Sequence, residues 1–143
     1  MAKLFNISEA ANIAIHSLAL IATSGESHSA ARIARELNFS RNHVAKVLQL
    51  LCRADFITST RGPRGGFELR KLPAEISVFD VVELMDGKLE AWHCKGKDDF
   101  CPFETCVYGD EREKLFHRFK DYYSKRTIED FNLKTEYNET KHH

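Results

Sequence analysis

Apolar residues in the first half of the chain recur at helical spacing, and over one stretch the pattern changes to that of strands. Ser40 is placed to cap a helix reaching Arg53, in which Val44, Val47, Leu48 and Leu51 share one face. Arg41, Asn42, His43, Lys46 and Arg53 are left over as a polar, largely basic set. After Ala54 the β-branched run Phe56-Ile57-Thr58-Ser59-Thr60 predicts a strand. Gly62-Pro63-Arg64-Gly65-Gly66 predicts a tight turn, and Phe67 to Arg70 a returning strand. Just upstream, Ser29 to Leu37 places Ala30, Ile33, Ala34 and Leu37 on one stripe, with a break at Asn38-Phe39. Two short helices followed by a hairpin carrying Arg61, Arg64 and Arg70 predict a winged helix-turn-helix.

The flanks are helical too. Ser8 is placed to cap a first helix running to about Thr23 and ended by Gly25, with Ala11, Ala14, Leu18 and Ile21 toward the core. Glu9, Asn12 and His16 form a polar stripe on its other side, flanked by Ile13 and Leu20. A solvated face is the plain reading; the apolar flanks point instead to a second subunit or a cofactor there. Downstream, Ser77 caps a short helix ending at Asp86-Gly87, with Val78, Val81, Val82 and Met85 facing inward. Residues 91–108 show neither helical nor alternating period. From Gly109 to about Lys125 a charged helix carries Leu115, Phe116, Phe119, Tyr122 and Tyr123, more aromatic surface than its own domain can cover, which predicts a dimerisation helix. Thr127 then caps a short segment from Ile128 to Leu133.

The expected fold is mainly α with a small β-hairpin wing, a winged helix-turn-helix domain plus a long dimerisation helix. It divides into residues 1–90 (DNA-binding domain), 91–108 (cysteine-rich cluster-binding loop), 109–135 (dimerisation helix and C-terminal helix) and 136–143 (disordered tail). His142-His143 read as a remnant purification tag.

Charge sharpens this picture. The 143 residues carry no formal net charge, yet residues 1–72 hold 10 Lys and Arg against 5 Asp and Glu, and residues 73–143 hold 11 against 16. The basic half contains the helix-turn-helix, so the neutral total hides a basic reading head. No stretch approaches the roughly 18 to 20 apolar residues of a membrane span. Met1-Ala2-Lys3 leads into an amphipathic segment rather than a signal peptide, so a cytoplasmic protein with no membrane partner is expected.

Cys94, Cys101 and Cys106, spaced C-x6-C-x4-C, sit in the aperiodic stretch. In a reducing compartment three clustered thiols point to metal ligation before a disulfide framework. An iron-sulfur cluster tolerates such uneven spacing, and Cys101-Pro102 resembles ferredoxin loops. Zinc with His93 as fourth ligand is a second reading, and a thiol switch or an unliganded loop a third. Cys52, inside a helix, reads as a packed residue. A thiol catalyst built on Cys94, Cys101 and His93 lacks any second constellation to make a pocket, so neither an enzyme nor a small-molecule substrate is expected. A winged-helix protein-protein module is the rival from another class.

On the wing Arg61-Gly62-Pro63-Arg64-Gly65-Gly66-Phe67, the segment Ile76 to Gly87, the three-cysteine loop and Thr127-Ile128, the chain resembles the Rrf-two family of bacterial winged-helix regulators (IscR/NsrR-type) to about Leu133. The resemblance implies a homodimer with swapped long helices and a palindromic double-stranded DNA operator. It also implies an iron-sulfur cluster whose response to redox state, nitric oxide or iron supply alters DNA binding, typically as a repressor. It assigns Cys94, Cys101 and Cys106 as ligands, Arg61 to the minor groove, and Asn42 and His43 to positions near base edges. Ser40, Arg41, Lys46 and Arg64 complete the expected DNA contacts. Ala45 stands where some members have a base-reading acid, so sequence preference is expected to differ. The place where some members have a histidine ligand is Gly109 here. Others bring the fourth ligand from the partner's first helix, at positions matching Asn12 and His16. His16 is the first choice, because imidazole binds iron far better than an amide, and Asn12 and Glu9 follow. A histidine ligand favours 2Fe-2S over 4Fe-4S. His117 reads as a surface residue.

Overall fold

The computed structural model of the protein describes residues 6–91 and 101–132. In chain order the elements are α1 (Glu9–Ser24), α2 (Ala30–Leu37), α3 (Arg41–Arg53), β1 (Ile57–Thr60) and β2 (Gly66–Leu69). A 3-10 turn (Pro73–Glu75), α4 (Val78–Asp86), α5 (Glu111–Lys125) and a last 3-10 turn (Ile128–Asp130) follow. This is a winged helix-turn-helix with a long helix behind it, as the periodicity predicts.

Hydroxyl caps start three of the helices. Ser8 Oγ accepts from the Ala11 amide at 3.0 Å, Ser29 Oγ from Arg32 at 3.1 Å and Ser77 Oγ from Asp80 at 3.0 Å. Ser40 departs from expectation. It occupies the N-cap position of α3, but its side chain makes no capping bond and stays exposed.

One core joins the elements. Val44, Val47, Leu48 and Leu51 of α3 pack with Ile33 of α2, Ile57 of β1, and Ala14, Leu18 and Ile21 of α1. Ile13 and Leu20 belong to the same cluster and are essentially fully buried, which corrects their reading as flanks of a face for another subunit. A helix packed on α2, α3, α4 and β2 must be apolar around most of its circumference, and Glu9, Asn12 and His16 are its exposed remainder.

Two long-range ties set the position of α4 and α5. At the end of α4, the Asp86 carboxylate accepts the Ser8 amide at 3.1 Å and also the Ser8 hydroxyl. After α5 the chain returns: Val78 N–H donates to Arg126 O at 2.9 Å and Ile128 N–H to Ile76 O at 3.0 Å, making an antiparallel bridge between Ser77 and Thr127. Ile128 is thereby fully buried in the same core. The segment after Thr127 is a single 3-10 turn, not a longer helix: the Asp130 carboxylate accepts from the Thr127 amide at 2.8 Å at its start, and the backbone is already extended at Phe131. Leu133 and the tail lie outside the described residues. Among the described residues, no helix is long and apolar enough to cross a membrane.

Candidate nucleic-acid interface and metal centre

Burial of one α3 stripe turns the other outward. Arg41, Asn42 and Lys46 are exposed, and the His43 side chain is 35% exposed, with its Nδ1 3.9 Å from a Glu9 carboxylate oxygen. The polar stripe of α1 therefore abuts the start of α3.

The wing is an antiparallel pair with Ile57 opposite Leu69 at its base and Thr60 opposite Gly66 near its tip. Arg61 and Arg64 are exposed in the tip. Arg70 is not with them. It sits at the base and its Nη1 pairs with Asp55 Oδ1 at 3.1 Å, which corrects the expected three-arginine cluster. The α1–α2 loop holds the wing: His28 N–H donates to Phe67 O at 3.2 Å, Phe67 N–H donates to His28 O at 2.8 Å, and the Ser27 hydroxyl donates to Arg64 O at 2.9 Å. Gly66 makes this possible, since a β-carbon there would lie 2.6 to 2.9 Å from the His28 backbone. The His28 side chain is fully buried, with Nδ1 3.0 Å from Glu26 O and 3.2 Å from Ser24 Oγ. Sequence reasoning missed it, because Ser27-His28-Ser29 reads as a polar linker; the Gly65-Gly66 pair is the one local hint of a close backbone approach.

Not every cation on this side is available. Arg32 Nε donates to Glu36 at 2.9 Å and its Nη1 to Glu26 at 3.4 Å, and these bonds, chiefly that to Glu36, hold its guanidinium above the usual range. Among the described residues no carboxylate pairs with Arg41, Lys46, Arg61 or Arg64. Four free cations on one helix face and one wing tip suit a phosphate backbone.

Cys94 lies outside the described residues, as does His93. Cys101 and Cys106 are exposed free thiols ahead of α5. A turn positions the second: Gly109 N–H donates to Cys106 O at 3.0 Å, and Gly109 adopts φ 63°, left-handed backbone at the place where a histidine ligand was absent. Arg112 Nη2 donates to Cys106 Sγ at 3.6 Å. Cys52 is half-buried in α3, where burial pushes its thiol up.

His16 and Asn12 are both exposed on α1. His16 Nδ1 lies 2.7 Å from Asn12 O, so it carries the proton for that bond and Nε2 is the atom left for a metal. Its ring meets Phe39, in the α2–α3 turn, edge-on at 6.2 Å and borders a cavity of about 680 Å³ with Ile15, Leu37, Tyr123 and Phe131. His117 is exposed on α5. Among the described residues no three His, Cys, Asp or Glu side chains converge as a metal site, so one chain does not bring His16 to the two cysteines. The two exposed cysteine sulfurs are nonetheless soft donors of the kind that suits iron-sulfur chemistry.

Comparison with known proteins agrees with this geometry. The family Rrf2, described as an iron-dependent transcriptional regulator, matches residues 7–132. A candidate HTH-type transcriptional regulator of Aquifex aeolicus is 30% identical over 101 residues, covering 68% of this chain and 70% of its own. Protein aau3 of Rhizobium meliloti is 32% identical over 123 residues, covering 83% and 79%. Among solved structures, CymR, the global cysteine regulator of B. subtilis, superposes with a TM-score of 0.76 at 19% identity, covering 89% of this chain and 95% of that one. T. potens IscR superposes at 0.70 and 20% identity, covering 89% and 85%. At these identities the structures support the fold.

Proposed function

The chain belongs to the Rrf2 family of transcriptional regulators, and on that premise we propose that it acts as a homodimer whose grip on a two-half-site operator is set by an iron-sulfur cluster at the cysteine loop. The observation that carries the DNA-binding part is that α3 and the base of the wing share one core, while the tip arginines Arg61 and Arg64 pair with no carboxylate among the described residues. In this reading each α3 enters a major groove, with Asn42 and His43 near base edges, while Ser40, Arg41, Lys46, Arg61 and Arg64 meet the backbone or the adjacent minor groove.

Cys94, Cys101 and Cys106 would hold the cluster, with the partner subunit's His16 as fourth ligand, Asn12 next, and 2Fe-2S as the favoured type. When bound, the cluster supplies a centre that can change oxidation state, react with nitric oxide or be lost when iron is scarce. The chain's own residues suggest how this reaches DNA. His16 packs on Phe39 in the helix-turn-helix turn, and Glu9, on the same stripe, faces His43 at the start of α3. Engaging His16 biases the turn that orients the reading helix. A coupling of about 1 to 3 kcal/mol is typical of such regulation, a 5- to 150-fold change in operator affinity.

The test is anaerobic purification with a visible spectrum, iron and acid-labile sulfide assays, and DNA affinity on the same sample. Brown protein with matched iron and sulfide, losing its colour in Cys101→Ala and Cys106→Ala and changing its DNA affinity on cluster removal, is expected. Colourless protein holding stoichiometric zinc, or no metal, removes the cluster and leaves the DNA-binding dimer. A metal-free thiol switch is the second reading, favoured by the exposure of both described loop thiols.

A further inference from the structure

The Cys106 sulfur has a built-in cationic neighbour. Arg112, in the first turn of α5, donates from Nη2 to Cys106 Sγ at 3.6 Å, and its guanidinium lies over the Tyr108 ring at 4.8 Å. We propose that Arg112 is a positioning residue for Cys106 and raises the reduction potential of the centre bound there, an inference that rests on the cluster reading above.

Three features support it. The turn closed by the Gly109 amide and the first turn of α5 fix donor and sulfur relative to each other, six residues apart. The Tyr108 face holds the planar guanidinium in place by cation–π attraction. Arg112 also borders a largely apolar cavity of about 350 Å³ with Leu89, Glu90, Leu115 and Phe116, which leaves its side chain half-buried instead of on an open surface. Hydrogen bonds to a ligating sulfur and nearby positive charge both favour the form carrying one more electron. Lys114 is the natural control. It is in the same helical turn, and its ammonium group is directed to Asp110 at 2.9 Å and Glu111 at 3.5 Å instead of to Cys106.

The experiment measures the midpoint potential of loaded wild-type, Arg112→Gln, Arg112→Lys and Lys114→Gln proteins with mediator dyes, which deliver one electron per centre with no bond made or broken. Arg112→Gln is expected to hold the electron about tenfold less tightly, a downward shift of about 59 mV for a one-electron couple. Arg112→Lys, which keeps the charge but not the fork, should fall less, and Lys114→Gln should not move. In wild type, exchange into heavy water should shift the iron–cysteine stretching bands, a response that should be smaller in Arg112→Gln. A loaded Arg112→Gln protein with wild-type potential, or an equal fall in Lys114→Gln, overturns the proposal. If Arg112→Gln does not load, Arg112→Lys decides: a lowered potential supports the proposal and an unchanged one overturns it. Wild-type protein without iron and sulfide removes the cluster reading and this inference with it.

Discussion

Gly66 has no room for a side chain: a β-carbon would sit 2.6 Å from the His28 carbonyl carbon. Gly66→Ala should therefore push the wing off the α1–α2 loop, at a cost of about 1 to 3 kcal/mol, read from denaturant unfolding. DNA affinity should fall further than stability alone explains, because the wing tip is displaced with it. Arg61→Ala acts differently. Its exposed side chain makes no hydrogen bond or ion pair among the described residues, so the change should leave stability within about 0.5 kcal/mol while reducing the slope of log affinity against log salt by about 1. An unchanged slope would take the wing tip out of the DNA interface. The thiols offer a third check at this scale. In metal-free protein, a maleimide should label exposed Cys101 and Cys106 well before half-buried Cys52, whose thiol burial pushes up; Cys52 reacting first would contradict its packing against the core.

Among the elements, the last 3-10 turn matters more than its three residues suggest. Ile128→Ala empties a fully buried position and should cost about 2 to 5 kcal/mol in chemical denaturation, which an exposed end of a terminal helix would not. Helices and hairpin were readable because their signals are local: the serine caps, the apolar stripe of α3 and the β-branched run before the glycine-rich turn all act within a few residues. What escaped reading is long-range. Asp86 serves Ser8, 78 residues away, and His28 of the α1–α2 loop pairs with Phe67 on the outer edge of the hairpin. Arg70 looked like a third wing cation until the register put it beside Asp55. Ile13 and Leu20 looked like an interface because periodicity does not say how many neighbours a helix has. The site was legible as residue types, cysteines and free cations. Arg112 was not, since no spacing rule links an arginine to a thiol six residues earlier.

At the scale of the molecule, α5 has no buried residue: Leu115 is 41% and Tyr122 57% exposed, and the rings of Phe119 and Tyr123 meet at a tilt with 4.7 Å between their centres. Such a face suits the second copy of the chain in the proposed homodimer: wild-type protein should sediment as a dimer, and Leu115→Asp with Tyr122→Asp as a monomer with the helical signal of the head intact. A dimeric double variant would take this face out of the contact, and a monomeric wild type would overturn the proposed dimer. The return of the chain to its own head has another outcome. Ile76 to Val78 and Arg126 to Ile128 are fastened side by side, so everything between them forms a ring closed by hydrogen bonds. A protease that nicks the exposed coil between Cys101 and Cys106 would open this ring without freeing either end. Two peptides should then travel as one particle on a sizing column, parting only in denaturant, much as a buckle stays shut when its strap is cut.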